Sequence, residues 1–174
     1  ANAINGSDTV SLGIALTTTP LHEIGIYTNG GTNMVSVSEA GSIETAGDAA
    51  TGMVITDDDN ETTVSGSIKT AGPMANGIWN QGDGNETTVS GSIKLTGGGP
   101  AGIWNLGDNN ITTVSGSIEA TGDNSIGIYN DGNNNITTVS GSIETAGYTA
   151  DGILNRGDNN ITTVSGSITT AGDE

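Results

Sequence analysis

The chain contains no cysteine, no phenylalanine, one histidine, three prolines and only three cations in 174 residues. Without cysteine there is no disulfide framework, no thiol nucleophile and no thiolate metal site. Lys69, Lys94 and Arg156 are too few and too scattered to neutralise a row of phosphates, so nucleic acid is not expected as a partner. A formal charge of −17 would also be repelled by an anionic membrane surface. No apolar run approaches the ~20 residues of a membrane-spanning helix. No signal peptide is visible, so the chain reads as a mature form or an excised segment. Aromatic residues make up 3% of the chain, which argues against an ordinary globular core.

What the chain has instead is glycine, 29 residues of it, and a strict repeat. TTVSGSI begins at Thr62, Thr87, Thr112, Thr137 and Thr162, each 25 residues after the last. A weaker copy, GSIETAG, runs from Gly41 to Gly47. GI, a bulky residue and Asn recur from Gly77, Gly102, Gly127 and Gly152. A degenerate GIY at Gly25 precedes its GSI by two extra residues, and TVSLGI from Thr9 to Ile14 is a worn copy. Residues 1–40 therefore form degenerate N-terminal coils, a cap or docking segment, and residues 41–174 form the regular array. Low hydrophobicity with high negative charge also describes disordered chains. The strict period and the Val and Ile columns point to a folded stack.

Residues 60–84 give one unit, NETTVSGSIKTAGPMANGIWNQGDG. Thr62, Val64, Gly66, Ile68 and Thr70 share one face of an extended chain, and Thr63, Ser65, Ser67 and Lys69 share the other. The second set is wholly polar, so the first points inward. The recurring glycine (Gly66, Gly91, Gly116, Gly141, Gly166) marks a corner with no room for a side chain. PMAN, GGPA, DNSI and YTAD read as a surface loop. GIWN reads as a third strand, leaving through GDGN, GDNN or GNNN turns. Ile is constant at the second place of that strand and belongs inside, because packed interiors resist volume changes. Asn80, Asn105, Asn130 and Asn155 then also face inward and can form an amide ladder. A single coil buries too little apolar surface to offset the entropy of ordering it, so coils must stack. The expected fold is an all-β parallel β-solenoid, about 25 residues and three short strands per coil, with a roughly triangular cross-section.

Chemistry is sparsely provided. His22 is the single imidazole and lies in the degenerate region, so no catalytic triad is expected. Asp57, Asp58 and Asp59 read as a solvated turn variant rather than paired catalytic acids. The chain is not expected to be an enzyme, and no cofactor is expected apart from calcium. The stacked turns make Asp58, Asp83, Asp108 and Asp158 candidate calcium ligands, since hard cations take carboxylate and amide oxygens. Asn133 replaces the acid in one coil. N-x-Ser/Thr sequons at Asn5, Asn60, Asn85, Asn110, Asn135 and Asn160 are candidate glycosylation sites, or equally a turn ladder. Trp79, Trp104, Tyr129 and Leu154 form an outward apolar stripe, a candidate contact for a host or surface ligand unless loop residues such as Met74 cover it. The hydroxyl rows continuing Thr63, Ser65 and Ser67 suit ice or glycan binding.

The strings NNITTVSGSIETAG and GIYNDGNNN, repeated from about Gly41 to Gly172, resemble the repeats in passenger domains of bacterial autotransporters and related surface adhesins. That resemblance implies a parallel β-solenoid at a cell surface, extracellular and used for adhesion or display. No translocator barrel is present in these residues, which reads as a fragment or a separate subunit. Thr162 to Gly172 is an ordinary repeat, so residues 162–172 are expected to pair with other protein. That protein is either a continuation of the same polypeptide or the N-terminal coil of a neighbour in a head-to-tail filament.

Overall fold

The computed structural model describes residues 2–5, 9–18 and 22–172, and of residues 2–5 the backbone alone. The first coil consists of β1 (Asn2–Asn5), β2 (Thr9–Leu12) and β3 (Ala15–Thr18). The second has β4 (Ile26–Asn29), β5 (Met34–Val37) and β6 (Ser42–Thr45). The third has β7 (Met53–Ile55), β8 (Glu61–Val64) and β9 (Ser67–Thr70). Then come β10 (Ile78–Asn80), β11 (Glu86–Val89), β12 (Ser92–Leu95), β13 (Ala101–Leu106), β14 (Ile111–Val114) and β15 (Ser117–Ala120). The last two coils are β16 (Ile126–Asp131), β17 (Ile136–Val139), β18 (Ser142–Ala146), β19 (Asp151–Arg156), β20 (Ile161–Val164) and β21 (Ser167–Ala171). Each coil contributes one strand to each of three parallel seven-stranded sheets, and no helix occurs among the described residues. Sheet A begins with β1, sheet B with β2 and sheet C with β3. This is the expected β-solenoid, and the described strands before residue 41, β1 to β5, continue the same sheets as the regular repeats.

The alternation of side chains sets the core. Val64, Val89, Val114 and Val139 from sheet B, Ile68, Ile93, Ile118 and Ile143 from sheet C, and Ile78, Ile103 and Ile128 from sheet A are buried in one continuous column. Thr62, Thr70 and their equivalents join them inside, while Thr63 and Lys69 face out. β-branched side chains suit these strands because their restricted χ1 stacks well on a pleated surface.

The glycine between sheets B and C is required by the coil beneath it. A Cβ on Gly116 would lie 1.9 Å from the carbonyl oxygen of Gly91, and the same contact recurs at Gly141 and Gly166. No positive φ is involved at this corner. The two extra residues of the second coil are absorbed here: Val37 aligns with Val64 and Ser42 with Ser67, so Ser38–Gly41 forms an enlarged corner turn. A corner accepts such an insertion without moving the core columns on either side.

The other two corners each hold a left-handed residue in successive coils. Asp59, Gly84, Asn109, Asn134 and Asn159 have φ between 57° and 67°, which explains the DDDN, GDGN and GDNN compositions. Ala49, Met74, Gly99, Asn124 and Thr149 occupy the second left-handed position. The irregular stretch that reads as a loop is a surface loop only in its first half. Ala75, Asn76, Ala101 and Ser125 are buried, and Ala101, Ile126 and Asp151 start strands of sheet A. Side-chain bonding accounts for the difference: Asn76 Oδ1 accepts from the Ala101 amide at 2.8 Å, and the Asn76 amide donates to Thr51 Oγ1 at 3.3 Å.

Candidate functional site

The turn between sheets A and B carries both the acids and the sequons. The carboxylate Oδ1 of Asp58 accepts the main-chain N–H of Asp83 at 2.8 Å, and Asp83 accepts that of Asp108 at 2.7 Å. Asp108 accepts from the Asn133 amide at 2.6 Å, and Asn133 Oδ1 accepts from Asp158 at 2.8 Å. Asn133 therefore performs the same acceptor task as the acids it replaces. One oxygen of Asp58, Asp83 and Asp108 is thus committed to an amide of the next coil. The acids form a single file that Asn133 interrupts between Asp108 and Asp158, and no three Asp, Glu or His side chains converge among the described residues. A calcium shell takes six to eight oxygens. The candidate ligands serve the turn without assembling such a shell.

The sequon asparagines form a second ladder of opposite polarity. Each main-chain N–H in this column donates to the Oδ1 of the asparagine one coil later: Asn60 to Asn85 at 2.9 Å, then Asn85 to Asn110, Asn110 to Asn135 and Asn135 to Asn160, each at 2.8 Å. Asn33 starts the column by donating to Asn60. Asn60, Asn85, Asn110 and Asn135 are buried and Asn160 is half-buried. The Asn60 amide nitrogen is bonded to turn carbonyls, and those of Asn85 and Asn110 are enclosed. Glycan attachment at the four buried positions would have to precede folding of the coil. The Asn5 side chain lies outside the described residues.

The stripe on sheet A is not open: Trp79, Trp104 and Leu154 are half-buried and Tyr129 is buried. Trp79 stacks on Trp104 with centroids 5.2 Å apart and planes 12° apart, and Trp104 stacks on Tyr129 at 5.5 Å and 22°. The Arg156 guanidinium lies 5.4 Å from the Tyr129 ring centroid. Ring faces are thus spent on one another along the axis. Leu154 is half-buried and aligns with Tyr129. Met74 does not cover the stripe; it is 70% exposed. The Tyr129 hydroxyl donates to Asp131 Oδ2 at 2.9 Å. Burial, and next that bond to Asp131, push the phenol pKa above its ordinary 10.0, while Arg156 acts in the opposite direction.

Elsewhere, the sheet C surface carries two exposed ion pairs, Lys69 with Glu44 at 2.7 Å and Lys94 with Glu119 at 2.6 Å. Such exposed pairs add little stability. His22 is exposed in a turn, and its amide donates to the Asp48 carbonyl. A shallow groove lined by Thr9, Met34, Ser36, Glu61 and Thr63 holds Glu61 as its one titratable side chain. Beyond β19, β20 and β21 the three sheets have a free edge among the described residues, and Val164 and Ile168 are exposed on that rung. Sequence reasoning missed the Asp-to-amide ladder, the Asn76–Ala101 bond and the left-handed positions; the 25-residue recurrence of Asp or Asn at the turn was the available signal for the first.

Comparison with protein families, with curated proteins and with solved structures finds no significant match for this chain.

Proposed function

We propose that this chain is a non-catalytic structural and adhesive β-solenoid of an extracellular cell surface, in the manner of an autotransporter passenger domain. One observation carries the reading: the recurring asparagines and the turn aspartates are spent on bonds between coils. Asn80, Asn105 and Asn130 bond along the axis, as do Asp58, Asp83 and Asp108 and the asparagines from Asn33 to Asn160. Polar groups used this way make a stiff rod whose length scales with repeat number. Its outer faces are left to meet other surfaces. The rod form and the resemblance in the repeats support display, and the acidic surface keeps neighbouring rods apart. No helix among the described residues is long and apolar enough to cross a membrane.

The test is to coat beads with the purified chain and measure their retention on animal cells, extracellular matrix and polysaccharide films. Retention above that of uncoated beads supports adhesion. Equal retention on every surface contradicts it.

A second reading, a head-to-tail filament, draws on the free edge beyond β19, β20 and β21. Parallel strand edges with exposed Val164 and Ile168 recruit further backbone, either more of the same polypeptide or another copy. Sedimentation over a concentration series distinguishes the two: growing species support the filament, and a constant monomer rejects it.

A further inference from the structure

We infer that the outer face of sheet B is an ice-binding surface. On its last three rungs the face presents two adjacent columns of β-branched side chains; on the two rungs before them Glu61 and Glu86 take the second column. Thr63, Thr88, Thr113, Thr138 and Thr163 align in register, rung upon rung. Ile111, Ile136 and Ile161 align beside them, 40%, 40% and 57% exposed. Rungs are about 4.8 Å apart and alternate residues of a strand about 6.6 Å apart, so the two columns define a near-rectangular net. Oxygen positions on the faces of hexagonal ice repeat on nets of closely similar dimensions.

Three further observations favour water as the occupant. Among the described residues, none of the five threonine hydroxyls makes a hydrogen bond within the protein. Their inward neighbours behave differently: Thr87, Thr112, Thr137 and Thr162 accept from the asparagine ladder. The outward hydroxyls are therefore unspent donors and acceptors on side chains of restricted χ1. Secondly, the outward positions of β14, β17 and β20 carry no charge, in a chain with 20 carboxylates. A charged partner has nothing to pair with there. Thirdly, the rings that would stack on sugars lie on sheet A with their faces already occupied by one another. Methyl groups of Ile and Thr cannot hydrogen-bond, so they force the adjoining water to bond to itself. The threonine hydroxyls pin that layer in place. A pinned layer with the lattice repeat merges with a growing crystal face and halts it.

The inference goes beyond the display reading and stands without it, since the assay uses the isolated chain. The freezing and melting points of a small ice crystal in a solution of the 174-residue protein are measured under a microscope. The expected result is freezing held below melting, with faceted crystals. Ile136→Glu places a charge in the middle of the net and is expected to abolish the gap. Glu61 and Glu86 occupy the same register position in earlier coils, so the fold accepts that side chain. Thr169→Lys, on the outer face of sheet C beside Glu144, is expected to keep the gap. No gap in the unaltered chain, or a full gap in Ile136→Glu, overturns the inference. Retention on powdered cellulose or chitin without any effect on ice also overturns it, and assigns the face to a polysaccharide.

Discussion

Asn80 donates its side-chain Nδ2 to Oδ1 of Asn105 at 2.7 Å, and the same bond joins Asn105 to Asn130 and Asn130 to Asn155. Below Asn80 the column changes to Ile55, and Asn80 Oδ1 is buried without a donor. The ladder therefore has a costly middle and an already unsatisfied end. Asn105→Ala should destabilise by about 2–4 kcal/mol, because it leaves an inward carbonyl oxygen and donor without partners. Asn80→Ile moves the start of the ladder up one rung and takes the Asn80 donor from the buried Thr87 hydroxyl, so it should cost about 1–2 kcal/mol, less than Asn105→Ala. Chemical denaturation of both variants checks the ranking.

Face assignment is tested by a pair of aspartates. Ile118 is buried in the core and Thr113 faces outward one strand earlier. Ile118→Asp buries an unpaired charge and should cost more than about 4 kcal/mol, enough to disrupt the stack locally. Thr113→Asp should change stability by about 0.5 kcal/mol. Equal shifts in melting temperature would contradict the inside–outside pattern of sheets B and C.

These columns were legible because their period and their chemistry coincide. A residue that must stack on its own copy repeats without change, so Val64, Ile68 and Asn80 announced their direction. The Asp83 and Asn85 turn was harder to read. Both residues are polar and suit solvent, calcium, glycan or a ladder, and only backbone geometry shows that their oxygens accept amides of opposite neighbours. The half-burial of Trp79 and Trp104 was illegible for a related reason. A large ring at a variable outward position reads as exposed, and its stacking on the next ring depends on a rotamer that a sequence does not state.

Met74 occupies a left-handed position with φ 56° while its side chain is 70% exposed. The equivalent residue one coil later is Gly99. Met74→Gly removes the Cβ clash and loses almost no packing, so it should stabilise the protein by about 0.5–1 kcal/mol despite the added freedom of the unfolded chain. A higher denaturation midpoint with an unchanged slope is the expected result.

Tyr129 gives a pH dependence. Its phenol titrates above 10.0 in the folded protein through burial and the bond to Asp131. The folded state then holds a proton that the unfolded state has released. The associated stability is fully present below pH 10.0 and is lost as pH rises through the folded pKa. Tyr129→Phe should remove that alkaline component, and Arg156→Gln should move the Tyr129 transition still higher, since Arg156 lowers it. Tyrosinate absorbance across an alkaline titration reads both.

The central claim is that the coils are interchangeable rungs of one rod. Removing residues 86–110 joins Asn85 to Ile111 and sets Lys69 beside Glu119 and Trp79 beside Tyr129, with every core column intact. Duplicating the same residues adds one rung. Small-angle X-ray scattering of the three proteins measures the maximum dimension directly. The account predicts folded, all-β proteins whose lengths step by about 4.8 Å from deletion to parent to duplication. Unfolding of the deletion, or lengths that do not track the number of repeats, would contradict it.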